Sequence, residues 1–402
     1  LSWRAVPGLT GAQTPRKSDG SAEGDAVCVV TESPDAYVLD NGLLAVTVAR
    51  DGTVISIIDL GCGRQLIPAG TRLGQYEMLR NEPFHWDAWE IQRDALMSAR
   101  AIEHSEVIGA QTDPDGIARV HIRSWQDGVR IETVIALAPG SMRLDFDAAV
   151  DWHAAERFLK VDVPMTPAPA MAQYECQYGL VERPIAKNTR ADEAKFESCT
   201  QRFVRVADSS YAMAVVNAST YGSDAMPIRR GTLVGTMIRL SLLSSPLYPD
   251  PRTDQGRHRF RWAVVADASM ERTLDAAACL NEPDTMSLPD CDPLIRLESV
   301  AGCVVLDWVK LADDRSGDLV IRAYEAAGGE GIARLRVANL LCSASSDGCP
   351  MVRETDLLEQ ELSSADGLPH VLREETVADG AELHFAPFEM ATLRIHVRRC
   401  RA

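Results

Sequence analysis

Two short segments concentrate the side chains that can do chemistry. Asn81-Glu82-Pro83-Phe84-His85-Trp86-Asp87-Ala88-Trp89-Glu90 gathers three large aromatic rings and three carboxylates within ten residues. Indole faces stack on the C–H faces of sugars while carboxylates accept hydroxyl protons, so this composition suits a saccharide site. It suits a packed inter-domain seam as well, where Trp buries a large area and keeps one donor. The second segment runs from Tyr248 to Phe260 and holds Pro249, Pro251, Gly256, three arginines and His258 in an otherwise acidic chain. Asp254 and Gln255 can bind hydroxyls bidentately, and loops carry such contacts more often than cores do. The alternative for this segment is a solvated hairpin tip held by an Asp–Arg pair. A third stretch, Tyr174 to Gly179 and Val181 to Pro184, reads as a strand entering a rigid turn, with Glu182 and Arg183 as a structural ion pair.

Other chemistries find no motif. The sequence has no HExxH, P-loop, GxSxG or glycine-rich dinucleotide turn. Its eight histidines never fall as HxH or HxxxH, so no catalytic residue and no metal site is expected on this chain alone. Ten cysteines from Cys28 to Cys400 include no CxxC, which predicts small buried thiols in a reducing cytoplasm. Cys342 and Cys349 flank a Ser/Asp/Gly loop and can bridge. The formal charge of −17 repels phosphate backbones, which argues against nucleic acid and agrees with a neutral substrate such as a sugar. No run of about 18 apolar residues exists to span a membrane. The chain opens on Leu1 rather than Met, as a processed product or a piece of something longer would.

The surrounding pattern is that of strands. Leu44, Val46 and Val48 alternate with Ala45 and Thr47, Arg50-Asp51-Gly52 turns, and Val54 to Ile58 resumes. Asp-Gly between alternating runs is a strong hairpin signal because it tolerates the positive φ of tight turns. After Asp127-Gly128, Val129, Ile131, Thr133, Ile135 and Leu137 return on one face. Pro139-Gly140 turns again, and Leu144, Phe146, Ala148, Val150 and Trp152 continue at period two, so this is a meander with one buried face. No stretch predicts a helix of three turns; Leu274 to Asn281 suits a short one. The class is all-β. Residues 1–27 read as an irregular lead-in, 28–280 as a large sandwich of extended sheets, 281–293 as a Pro/Asp-rich linker and 294–402 as a small β-sandwich.

The same residues carry a resemblance. Asp40-Asn41-Gly42-Leu43-Leu44 with Asp51-Gly52-Thr53 resembles the opening of the large β-domain of glycoside hydrolase family 38 α-mannosidases. Trp86 to Ile91 is similar to that family's W-D-A-W-D/E-I motif, and Tyr174 to Asn188 to its Y-E-x-x-F/Y-G-x-V-E-R-P segment. Leu240-Ser241-Leu242-Leu243, Tyr248-Pro249-Asp250-Pro251 and Asp254-Gln255-Gly256-x-His258-x-Phe260 resemble the bacterial pattern. Glu354 to Glu359 and Phe385 to Leu393 resemble the last domain.

This resemblance implies a galactose-mutarotase-like β-supersandwich followed by a C-terminal β-sandwich. It implies an intact protein that is a retaining α-mannosidase acting on mannose-containing oligosaccharides. In it, zinc or another divalent metal and two Asp residues lie in an N-terminal catalytic domain that precedes this chain. It also implies a loop from the large domain reaching the active-site rim, which assigns substrate or rim contacts to Asp254, Gln255 and Gly256, with Trp86 and Asp87 on the same seam. Animal members carry Arg-Gly where this chain has Gln255-Gly256. Pairing of copies through these domains is implied too. Two other readings stand beside it: a stand-alone carbohydrate-binding or structural β-sandwich module, and a mutarotase-like epimerase, which needs a His acid and a Glu base in one concave site.

Overall fold

The computed structural model describes residues 27–218, 220–231, 233–281, 295–337, 351–362, 371–372 and 380–396. The lead-in up to residue 26, most of the linker and the Cys342–Cys349 pair lie outside the described residues. Those described form 27 strands and three helices, an all-β protein. They divide into two compact units, one within Ala22–Glu175 and Val181–Asn281, the other within Cys176–Leu180 and Glu282–Ala402.

The large unit is built from five-, nine- and six-stranded sheets that share one hydrophobic core. The Asp-Gly turns lie where the sequence puts them. Val129–Leu137 pairs Ala118–Gln126 through Gly128 at φ 75°, and Leu44–Ala49 pairs Val54–Asp59 through Gly52 at φ 81°. Val129, Ile131, Thr133, Ile135 and Leu137 all point inward and are buried, as are Leu144, Phe146, Ala148, Val150 and Trp152 on the neighbouring Arg143–Trp152.

The helix near residue 274 is longer than the sequence suggests. It spans twelve residues, Met270–Asn281. Ser269 starts it by accepting the Arg272 N–H on its Oγ at 3.1 Å and the Thr273 N–H on its carbonyl at 3.0 Å. Its buried stripe of Thr273, Leu274, Ala276, Ala277 and Leu280 has helical period but little apolar bulk, which is why the first turn is hard to read.

The small unit packs a three-stranded sheet and a four-stranded sheet around Leu297, Ile321, Leu335, Phe385 and Leu393. Glu325, wholly buried, accepts the amides of Ala327, Gly328 and Phe388 at 2.9, 2.7 and 3.1 Å.

One face of the six-stranded sheet carries buried charge. Lys160 has no exposed surface and contacts Glu197 and Asp224 Oδ2, the latter at 2.8 Å. Arg239 Nε lies 3.0 Å from Asp224, and its Nη1 lies 3.5 Å from Glu77. Asp162 sits beside Lys160 and Arg239, its Oδ1 without a hydrogen-bond partner among the described residues. Four carboxylates thus face two cations. Burial, reinforced by the Glu77 carboxylate, pushes Asp162 up to about 8. Its unfolded value is near 3.9, so the folded state holds a proton that the unfolded state has lost. That contribution is complete below about pH 4 and disappears as pH rises towards 8. Asp162→Asn, neutral at every pH, is therefore expected to flatten the decline. Thermal melts should show it more stable than the parent at pH 8.5 by at least about 1 kcal/mol, or about 2–4 °C in Tm. Parallel curves from pH 5 to 8.5 would show that Asp162 carries no such proton.

Candidate functional site

The strand Tyr76–Arg80 ends at Asn81, which is almost fully buried and fixes the start of the first loop. Its N–H donates to the Glu156 carbonyl at 3.0 Å and its Nδ2 to Ser244 Oγ at 2.9 Å. Beyond this anchor the chain turns on Trp86, held at φ 56°, whose carbonyl accepts the Trp89 and Glu90 amides at 2.7 and 3.0 Å. That turn sets the two indoles edge to face with centroids 6.4 Å apart. Trp86 and Trp89 are 65% and 68% exposed, so the rings are not packed into the core of this chain.

The second loop joins Leu233–Ser244 to Gly256–Val265. Ser245 roots it by donating its N–H to the Arg157 carbonyl at 3.0 Å and accepting the Glu156 N–H at 2.8 Å. Asp250 Oδ1 accepts the Arg252 amide at 2.9 Å, the Thr253 amide reaches the Asp250 carbonyl at 3.1 Å, and Asp254 follows at φ 57°. Gly256 at φ 114° takes a backbone that side chains rarely adopt, although a Cβ there would meet nothing within 4 Å. Gln255 Nε2 donates to the Ala154 carbonyl at 2.8 Å. His258 Nε2 lies 2.8 Å from the Asp254 carbonyl, and its ring stacks on Phe260. The Asp254 carboxylate is exposed and makes no hydrogen bond to the described residues. Arg252 and Asp250 approach only to 3.9 Å, both exposed, so the loop is shaped by its turn bonds more than by that ion pair.

Asp87 joins the two loops. Its Oδ2 accepts the backbone N–H groups of Leu247 at 2.6 Å and Tyr248 at 2.9 Å. Asp87 thus ties the loop of Trp86 and Asp87 to the loop that carries Asp254, Gln255 and Gly256, and the two joined loops form one candidate rim.

Beside the rim lies a surface cavity of about 390 Å³ that includes His258, Arg257, Asp151 and Arg130. Arg130, Asp151 and Arg257 sit opposite one another on three adjacent strands. Sequence reasoning missed this groove because its members are far apart in the chain. The available signal was that the outward positions of those alternating strands are charged.

Glu182 and Arg183 do not pair. Neighbours on one strand, they point to opposite faces: Glu182 accepts from Gln173 at 3.3 Å, and Arg183 lies 5.8 Å from the Tyr174 ring centroid. The ion pair of that motif is Glu175 with Arg202, in which a nearly buried carboxylate also accepts the Arg202 amide at 2.8 Å. Among the described residues no three His, Cys, Asp or Glu side chains converge to hold a metal, so these residues do not fit the divalent ion that the resemblance implies. No helix among them is long and apolar enough to cross a membrane.

Two family models match the chain. The glycosyl hydrolases family 38 C-terminal domain covers residues 39–252, and the glycosyl hydrolases family 38 C-terminal beta sandwich domain covers residues 303–393. The chain is 30% identical over 315 residues to alpha-mannosidase 2C1 of Homo sapiens, covering 75% of this chain and 29% of that protein. It is 25% identical over 415 residues to alpha-mannosidase of Saccharomyces cerevisiae, covering 94% and 36%. It spans about a third of the length of these curated relatives. The crystal structure of an alpha-mannosidase from Enterococcus faecalis shares the fold with a TM-score of 0.64 at 15% identity, covering 89% of this chain and 42% of that one.

The Asp87 contacts make a direct prediction. Hydrogen bonds to an ionised acceptor are worth about 1.5–3 kcal/mol. In Asp87→Ala, hydrogen exchange at the Leu247 and Tyr248 amides should accelerate about tenfold or more while the sheet amides stay protected. Unchanged exchange at both amides would mean that the carboxylate does not hold the loops together.

Proposed function

Because the chain belongs to glycosyl hydrolase family 38, we propose that it is the C-terminal portion of an α-mannosidase that releases terminal non-reducing α-D-mannosyl residues, and that these β-domains support and edge its active site. The observation that carries the second part is the Asp87 bridge. It joins loops that carry exposed indoles, a carboxylate without a partner among the described residues and an amide side chain, a set suited to a sugar's apolar face and hydroxyls. The first part rests on the α-mannosidase relatives and on matched models that are, by their descriptions, C-terminal domains.

On this reading the retaining chemistry and its divalent metal belong to residues outside this chain. Such a mechanism needs two carboxyl groups about 5–5.5 Å apart, flanking the scissile bond. The rim contributes binding: it orients the mannosyl unit or the sugar that follows it and excludes water from the cleft edge. Cys28, Cys62, Cys176, Cys199 and Cys279 are free thiols, which supports a reducing cytoplasm as the compartment.

Two measurements test the proposal. This chain alone, with an aryl α-mannoside and added zinc or cobalt, should show no turnover; clear turnover would overturn the division of labour. In the full-length protein, Asp254→Ala and Gln255→Ala should each raise KM several-fold, with kcat less affected and Tm within about 1–2 °C. Unchanged kinetics in both would make the loop structural.

A further inference from the structure

The large unit contains a second polar site that the rim does not use. A cavity of about 270 Å³ opens between its sheets, reached from the Asp51-Gly52-Thr53 turn and the short strand Arg100–Ala101. Its wall interrupts the hydrophobic pattern. Along Val129–Leu137 every other inward residue is Val, Ile or Leu, yet Thr133 faces the cavity. Along Ala118–Gln126, Ser124 follows inward Val120 and Ile122, and Ser105 sits directly opposite it on the next strand. Tyr76 enters from the facing sheet. Tyr76, Ser124 and Thr133 are each at most 5% exposed.

Hydroxyls at core positions are costly unless paired. Among the described residues these pair only with one another: Tyr76 Oη lies 2.8 Å from Thr133 Oγ1, and the half-buried Ser105 Oγ lies 2.8 Å from Ser124 Oγ. A hydroxyl has one donor, so each pair brings two O–H groups and spends one. One donor per pair thus remains without a partner among the described residues, beside the cavity. The Phe146 ring and Ile135 supply an apolar wall, and the Asp51–Arg72 pair, at 2.6 Å, supplies charge. Gly52 lets the turn approach this wall, since a Cβ there would lie 2.5 Å from Ile122 Cγ2.

Unspent hydroxyl donors, an aromatic face and a carboxylate are complementary to a neutral polyhydroxylated molecule. The volume falls near the low end for small-molecule sites, about 300 Å³, and so admits one ring or a short chain but not an oligosaccharide. We propose that this cavity binds a free monosaccharide or a short acyclic polyol, independently of the loop rim.

The test is calorimetric and ligand-observed NMR titration of this chain with D-mannose and, separately, with glycerol. Saturable binding is expected for at least one; mannose alone identifies a ring site, and glycerol alone or both a site for polyol hydroxyls. Ala101→Phe, which fills the mouth from an exposed position, should abolish binding and leave Tm unchanged. Thr133→Val should weaken it about tenfold. If loss of the Tyr76 partner unfolds that variant, Ala101→Phe decides. Absence of saturable binding for both probes would assign the cavity to water alone, and binding untouched by Ala101→Phe would place the ligand elsewhere; either result overturns the proposal.

Discussion

The candidate site depends on one carboxylate. Asp87 is half-buried among exposed neighbours, and it accepts two consecutive backbone amides from a loop about 160 residues further along the chain. Leu247 and Tyr248 lie beyond the last paired residue of their strand, so their N–H groups have no ladder partner, and Pro249 has none to offer. An ionised acceptor makes such bonds short and strong. The motif residues on either side, Trp86 and Asp254, both adopt positive φ, a costly conformation that persists where the surroundings fix it. Local turn bonds hold each of them, the Trp89 and Glu90 amides on the Trp86 carbonyl and His258 on that of Asp254, and the Asp87 bridge ties the two turns' loops together.

The same device recurs through the chain. Glu175 accepts the Arg202 amide, Asp208 accepts those of Ser210 and Tyr211, Glu325 gathers a cluster in the small unit, and Glu354 accepts those of Val371 and Leu372. Acidic side chains fasten the turns where the backbone leaves its sheet. Part of the net charge of −17 is therefore structural, and carboxylates in the family-like motifs such as Glu175 and Glu354 hold backbone. Asp254 differs from all of these in making no hydrogen bond to the described residues, and this is why the proposed function gives it a binding role.

Much of this was legible in the sequence, for definite reasons. Asp-Gly and Pro-Gly turns between period-two runs specify both the hairpins and the face that each strand buries, so the inward set from Val129 to Leu137 follows directly. The rim residues were legible as types, but their union was not, because nothing local links Asp87 to Leu247. The charged face of the six-stranded sheet was hidden by its own alternation. Lys160 and Asp162 on Arg157–Met165 look like a solvent-facing row, and only the third dimension shows them covered. Glu182 and Arg183 were misread because proximity in a strand places side chains apart.

The account stands on the two loops meeting the sugar together. Hydrogen exchange of the full-length protein, with and without a mannose-configured competitive inhibitor, tests this directly. The account predicts that binding slows exchange in both 81–92 and 245–256, and that Asp87→Ala removes the effect from both. Protection confined to regions outside this chain, with both loops exchanging as before, would contradict it.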